Sequence, residues 1–221
     1  MNPLELLFPR KCIFCGRLIS HDQKDPWCED CDAQVELLQA PFSLAADPNH
    51  LLTRNEAVLR YTQYTRRAIL SLKFRQQAWV SRPLSSLLVT RYQQVYSQTP
   101  IGLILPVPLH PSRQRQRGYN QSLLLARPLA KALKIPCSTH LLLRSRDTLP
   151  QSSLSSRLER LDNLRDAFVC PHPEQIAGQT ILLVDDVTTT GSTLYECGRA
   201  LHEAGAQAVY TLCVMHGSLE I

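Results

Sequence analysis

Ile181-Leu182-Leu183-Val184-Asp185-Asp186-Val187-Thr188-Thr189-Thr190-Gly191-Ser192-Thr193-Leu194 is the stretch on which the fold turns. Four apolar β-formers read as a buried strand running to the carboxyl end of a sheet, where open α/β folds bind ligands. Two carboxylates follow at once, and hydroxyl residues with one glycine then lead into a helix. A helix N-terminus offers free N–H groups and the positive end of its dipole, while Gly191 lets the backbone approach a phosphate closely. Thr189, Thr190, Ser192 and Thr193 add hydroxyl donors. Asp185 and Asp186 cannot face that phosphate without repulsion, so they suit sugar hydroxyls or a hydrated divalent metal. One end of the site wants phosphate and the other a diol, which together describe a ribose 5-phosphate.

Outward from this stretch, strands and helices alternate. Ser192–Ala204 is expected as a helix stopped by Gly205, and Ala208–Met215 as the closing strand. Upstream, Ala57–Tyr61 reads as an edge strand, Arg66–Phe74 and Pro83–Tyr96 as helices, and Ile101–Val107 as a buried strand. Asn120–Leu133 is an amphipathic helix with Pro128 inside it. Short turns between strands and helices imply a parallel α/β sheet flanked by helices. Residues 1–40 read as a small cysteine module ending in a short helix around Asp32–Leu38. Residues 41–55 read as a linker, and 56–221 as the main domain. The chain lacks a Gly-x-x-x-x-Gly-Lys-Ser/Thr loop and a Gly-x-Gly-x-x-Gly fingerprint. A receiver domain also ends a strand in paired acids, but near its start, whereas here 35 residues follow Asp186.

The segment closely resembles the 5-phosphoribosyl-1-pyrophosphate (PRPP) motif of type I phosphoribosyltransferases. By that resemblance Asp185 and Asp186 hold the ribose hydroxyls and are the candidate catalytic pair. Thr188, Thr189, Thr190, Gly191, Ser192 and Thr193 become the candidate ribose-5-phosphate site, with Mg2+ accompanying PRPP.

With 221 residues and an ordinary apolar fraction, the chain can bury one sizeable core and a small appendage. No apolar run approaches membrane-span length, and the start of the chain makes a poor signal peptide. The expectation is a cytoplasmic protein with no membrane insertion. Eight cysteines could suggest a secreted disulfide framework. Their distribution argues against it: Cys137, Cys170, Cys197 and Cys213 are scattered singly and read as small buried hydrophobes.

The other four form two tight pairs, Cys12-Ile13-Phe14-Cys15 and Cys28-Glu29-Asp30-Cys31, with twelve residues between them. Two such knuckles can close a tetrahedral thiolate shell around zinc, leaving no open position, so the metal would be structural. A redox Cys-x-x-Cys or an iron–sulfur site is the alternative. Forty residues cannot build a core unaided, and a metal supplies the missing stability.

The net charge is +5, but between His110 and Arg160 ten Lys/Arg face only Asp147 and Glu159. A surplus of that kind suits a polyanion. It includes the second distinctive stretch, Pro106-Val107-Pro108-Leu109-His110-Pro111-Ser112-Arg113-Gln114-Arg115-Gln116-Arg117-Gly118-Tyr119-Asn120-Gln121-Ser122. Arg113, Arg115 and Arg117 at every second position read as a mobile loop able to close over pyrophosphate. Further on come Gln151, Arg157, Arg160, Asn163 and Phe168.

Together with the cysteine pairs and the Asp-Asp-Val-Thr-Thr-Thr-Gly-Ser-Thr segment, this order resembles the ComF family almost end to end. The resemblance implies an N-terminal zinc module joined to a phosphoribosyltransferase-like domain, and a role in natural competence and the handling of incoming DNA. Lys73-Phe74 looks like the family's Leu-Lys-Phe segment, which makes Lys73 a candidate pyrophosphate contact. One departure is visible: a single cysteine quartet is present, where some relatives look as though they carry a second ribbon. Two functions follow. One is an active phosphoribosyltransferase of nucleobase-salvage type, for which no base pocket is legible. The other is a module that holds PRPP or a terminal 5-phosphate while its basic surface engages single-stranded DNA, with other competence proteins as candidate partners.

Overall fold

The computed structural model describes residues 9–44, 47, 50–74, 77–148 and 164–217. The described strands are β1 (Arg54–Arg60), β2 (Leu103–Pro106), β3 (Leu143–Arg144), β4 (Phe168–Val169), β5 (Thr180–Thr188) and β6 (Ala208–His216). The described helices are α1 (Glu29–Asp32), α2 (Arg66–Phe74), α3 (Ser81–Val95), α4 (Pro111–Arg117), α5 (Gln121–Leu133) and α6 (Ser192–Glu203). A four-stranded sheet runs in the order β1-β6-β5-β2 with every pairing parallel, and β3 and β4 form a separate antiparallel ribbon.

The central strands are apolar at consecutive positions because helices cover both faces. Leu182, Val184, Leu212 and Val214 join a cluster with Ala68, Ile69 and Leu72 of α2, Leu84 and Leu88 of α3, and Leu125 and Leu129 of α5. Ile181, Leu183, Val209 and Cys213 alternate onto the opposite face, against Leu194, Cys197 and Leu201 of α6. Each fully buried leucine contributes about 1.5–3 kcal/mol. Cys197 and Cys213 are buried as expected, while Cys137 and Cys170 are only partly so. Among the described residues, no helix is long and apolar enough to cross a membrane.

Several expectations need correction. The helix of the cysteine module is Glu29–Asp32, not Asp32–Leu38. Residues 36–38 instead run antiparallel along β1, with Leu38 N donating to Val58 O and Arg60 N to Glu36 O, each at 2.9 Å. An exposed strand edge offers unpaired amides and carbonyls, and here the chain leaving the module takes them up. Within the stretch read as a linker, Leu44 and Leu52 are buried in the α6-side core, and β1 starts at Arg54. The paired aspartates do not follow the strand but lie within it, since β5 continues to Thr188.

The arginine stretch is a helix, not a mobile loop. His110 caps it, its side chain accepting from Ser112 N, Pro111 occupies the first turn, and Gly118 ends it at φ 85°. These start and stop signals were legible in the sequence, and the alternation of arginines obscured them. Gln151, Arg157, Arg160 and Asn163 lie outside the described residues. Phe168 is buried in β4.

Candidate functional site

At the carboxyl end of the sheet, β5 lies between β2 and β6. Val107 N donates to Val184 O at 2.9 Å, carrying the β2 pairing one residue past the strand. Asn120 ties the start of α5 to this point. Its Nδ2 donates to Val107 O at 3.0 Å, and its Oδ1 caps the helix by accepting from Ser122 N at 2.9 Å. Ser122 is thereby aimed at Asp185, and its hydroxyl donates to Oδ1 at 2.8 Å. Sequence reasoning quoted Asn120 and Ser122 without assigning them a task. The signal was the Asn-x-Ser step at a helix start.

Asp185 and Asp186 are 7% and 2% exposed and, as neighbours in a strand, point to opposite faces. Asp185 Oδ1 also accepts from Asp186 N at 2.9 Å, and Asp186 Oδ1 from Val187 N at 2.7 Å. Asp186 Oδ2 is ion-paired with the Lys73 ammonium at 3.0 Å, the one partner it has among the described residues. A carboxylate oxygen paired with one ammonium keeps a further lone pair that a hydroxyl or a hydrated cation can use. Burial, reinforced by the Asp186 charge, pushes the Asp185 carboxyl up to about 7, against the opposing pull of Lys73, Ser122 and the Asp186 amide. Lys73, proposed for pyrophosphate, therefore stands beside the acids.

Beyond Thr188 the chain turns through Thr189 and Thr190 to Gly191, which caps α6 in a left-handed conformation with φ 83°. A Cβ at Gly191 would come within 2.5 Å of the Leu44 side chain, so this position excludes side chains by space as well as by torsion. Gly191 has no side chain to cap the first-turn amides of α6, which leaves them able to serve an anion. Of the expected phosphate residues, Thr188 and Ser192 are buried, Thr190 and Thr193 are partly exposed, and Thr189 is open. Thr190 Oγ1 and Ser192 Oγ lie 3.0 Å apart.

The three arginines separate by helical phase, because residues four apart share a face and residues two apart do not. Arg113 and Arg117 are partly buried and Arg115 is exposed. Arg117 donates to Gln121 Oε1 at 2.5 Å. Burial lowers its pKa, and the Asp186 charge opposes that, which puts Arg117 within electrostatic reach of the acids. Arg113 turns elsewhere, donating to Thr148 O and lying 3.8 Å from Asp147 Oδ1. Tyr119, just beyond α4, has its hydroxyl committed to Leu72 O at 2.5 Å.

The sulfurs of Cys12, Cys15, Cys28 and Cys31 all lie within 4.8 Å of one another, so the four can hold a metal ion. Cys12 and Cys31 sulfurs are 3.5 Å apart, and Cys15 and Cys28 sulfurs 3.7 Å. A tetrahedron with Zn–S near 2.3 Å has edges of about 3.8 Å, whereas a disulfide is about 2.05 Å. Cys15 N points at Cys12 Sγ at 3.5 Å, as the turn of a metal knuckle requires. Phe14 and Trp27, ring centroids 5.8 Å apart, belong to the same buried cluster as α2 and its face of the sheet, and Trp27 Nε1 donates to Asp32 Oδ1 at 2.7 Å.

Residues 120–218 match the family model described as a phosphoribosyl transferase domain. Over 218 residues the chain is 30% identical to Competence protein F of Haemophilus influenzae, covering 91% of this chain and 95% of that one. It is 33% identical over 208 residues to the DNA utilization protein YhgH of Escherichia coli K12, covering 92% and 88%. Competence protein ComFC of Bacillus subtilis is 29% identical over 197 residues, covering 89% and 73%.

Proposed function

Because this chain belongs to the ComF family of competence proteins with a phosphoribosyltransferase domain, we propose that it binds the magnesium complex of PRPP at the carboxyl end of its sheet and acts in the handling of incoming single-stranded DNA. The observation that carries this reading is the buried Asp185–Asp186 pair, Asp186 ion-paired to Lys73, set beside a helix whose N-cap Gly191 gives its first amides no side-chain cap.

In this reading Asp186 Oδ2 accepts from a ribose hydroxyl, and Asp185, held by Ser122, completes the diol contact. Thr189, Thr190 and Thr193 with the first amides of α6 take the 5-phosphate, and Thr188, Gly191 and Ser192 shape the turn that presents them. Lys73 and Arg117 lie toward the pyrophosphate, and Mg2+, when bound with it, neutralises part of its charge. A buried pair of acids next to the ribose also suits a cation-like centre at C1, the requirement of phosphoribosyl transfer. Turnover of that kind would appear as pyrophosphate release that depends on an added acceptor. The four cysteines hold a structural Zn2+, since a closed four-sulfur shell leaves no position for substrate. For DNA, the supporting surface is the exposed set Arg127, Lys131 and Lys134 on and just beyond α5, with Arg115 on α4. Other competence proteins are the candidate protein partners, and the cytoplasm is the compartment this role requires.

Calorimetric titration with PRPP and Mg2+ tests the reading. Saturable binding in the wild type, weakened at least 100-fold in Asp185→Ala/Asp186→Ala with the fold intact, is the expected result; equal binding in the two proteins would refute it.

A further inference from the structure

α2 is anchored at both of its ends, and the two anchors belong to different sites. Ahead of the helix, Thr62 and Thr65 exchange hydrogen bonds, Thr62 N donating to Thr65 Oγ1 at 2.9 Å and Thr65 N to Thr62 Oγ1 at 3.1 Å. Thr65 Oγ1 also donates to Arg60 O at 2.8 Å, so the turn leaving β1 has a defined shape. Within that turn Tyr64 reaches out of the main domain and its hydroxyl donates to Cys31 Sγ. The Tyr64 ring lies 5.7 Å from the Phe14 ring, and the Arg67 guanidinium sits 5.0 Å from the Tyr64 ring centroid. Phe14, Cys15, Arg67 and Leu70 line an open pocket of about 300 Å³ between module and helix, and Tyr64 supplies a polar tie beside it.

The other end of α2 meets the ligand site. Lys73 Nζ is 3.0 Å from Asp186 Oδ2, and Leu72 O accepts from the Tyr119 hydroxyl, next to the end of the arginine helix α4. Between the ends, Ala68, Ile69 and Leu72 are 0%, 2% and 0% exposed in the core. From Arg66 to Lys73 the rise is only about 10 Å. A packed helix of that length moves as a unit, because close-packed cores transmit displacement instead of absorbing it.

We infer that Tyr64 is a positioning residue which couples metal at the four-cysteine cluster to the ligand site through α2. A metal holds the Cys31 sulfur in place as a charged acceptor, and hydrogen bonds to charged acceptors are the strong ones. Tyr64 then fixes the start of α2, and α2 sets Lys73 against Asp186. Coupling between two sites is reciprocal, so the ligand must tighten metal binding by the same factor that metal tightens ligand binding. This inference rests on the reading of the sheet's carboxyl end as the Mg–PRPP site.

The test compares wild type with Tyr64→Phe, which keeps the ring against Phe14 and Arg67 and deletes only the donor. Mg–PRPP affinity is measured in zinc-loaded and chelator-stripped protein, alongside the rate of zinc extraction with and without Mg–PRPP. Wild type should bind Mg–PRPP about 5-fold more tightly when loaded, the lower end of usual coupling factors, and should lose zinc correspondingly more slowly with ligand present. In Tyr64→Phe both factors should fall to near one, with zinc held roughly 10-fold more weakly. An unchanged coupling factor in the variant, or no coupling in the wild type, overturns the inference, even if zinc affinity alone drops. Amide hydrogen exchange of α2 in the zinc-loaded proteins separates this failure from that of the functional reading. Should wild type bind no PRPP, the functional reading falls, and faster exchange at both ends of α2 in Tyr64→Phe would still support the strut. Exchange unchanged near Lys73 would overturn it.

Discussion

The cysteine module and the carboxyl end of β5 are both small constellations of polar groups, but they depend on the rest of the chain in opposite ways. The module's four sulfurs come from two short turns, and a bound metal would itself supply the organising energy. The aspartate pair contributes no such energy. Two neighbouring carboxylates are buried, one of them pushed up to about 7, and the sheet, α2 and α5 bear the cost of holding them there. On the proposed reading, a metal-dependent fold element is joined to a fold-dependent ligand site. Losing the metal should damage structure first, and losing the acids should damage binding while leaving structure alone.

The largest effect expected from this contrast is at Cys28 and Cys31. Structural Zn2+ sites of this type contribute about 10–16 kcal/mol of apparent binding free energy, which is coupled to folding. Cys28→Ser/Cys31→Ser should therefore abolish zinc retention, measured by elemental analysis of the purified protein, and leave residues 9–44 sensitive to protease. The main sheet, buried on both faces by its own helices, should keep its cooperative thermal transition. A variant that unfolds globally would show that the module and the sheet are one energetic unit.

The next effect is in pH. Asp185 has a folded pKa raised to about 7 from an ordinary 3.8, so between these values the folded state holds more protons than the unfolded state. Its contribution to stability is fully present below the ordinary carboxyl pKa and is lost as pH rises through about 7. The ligand-free protein should become less stable across that window, and Asp185→Asn should flatten the slope, as read by thermal melts. Binding should run the other way, because a ribose hydroxyl donates best to the ionised carboxylate. Mg–PRPP affinity should rise roughly tenfold between about pH 6 and 8 in the wild type, following the ionised fraction, and much less in Asp185→Asn.

Gly191 joins the two halves of the comparison, since the strap leading from the module to β1 presses Leu44 against it. Gly191→Ala should cost about 1–3 kcal/mol through the positive φ and the clash. In a Leu44→Ala background, itself destabilised by lost burial, the added cost of Gly191→Ala should shrink by the part due to the clash alone. Full loss of that cost would mean that the torsion is not strained, and no shrinkage that space is not limiting. Denaturant titration separates the two.

The sequence was most informative where chemistry is local. The strand pattern before Asp185, the Gly191 turn, the cysteine spacing and the boundaries of α2 and α3 all follow from residues close together in the chain. What it hid depends on partners far away. Glu56 lies in the run Asn55-Glu56-Ala57-Val58-Leu59 and is fully buried, paired at 2.5 Å with Arg91 of α3 across 35 residues. Ser122 meets Asp185 across 63 residues, and Tyr64 meets Cys31 across 33. Residues 36–38 read as helical because their own pattern says nothing of the open β1 edge that captures them. The arginine alternation misled for a different reason: period two suggests an extended chain only if the caps at His110 and Gly118 are overlooked.

The smallest expected effect tests how those arginines divide their work. About 200° of helical rotation separates Arg115 from Arg113, against about 40° between Arg113 and Arg117, so Arg115 alone faces outward. Arg117→Ala should weaken Mg–PRPP several-fold, because its guanidinium lies within electrostatic reach of Asp186. Arg115→Ala should leave that affinity within about twofold, since an exposed cation at this distance is screened. If single-stranded DNA follows the exposed cations of α4 and α5, Arg115→Ala should instead lower the salt dependence of DNA binding by one contact. That is a change of about 0.7 in the slope of log K against log salt. Loss of Mg–PRPP affinity in Arg115→Ala would mean that α4 turns or unwinds to bring all three arginines to the pyrophosphate. The helical phase seen without ligand would then describe the open state of a closing element. Slope and affinity both unchanged would reduce Arg115 to a solvated surface charge and shift the DNA surface to Arg127, Lys131 and Lys134.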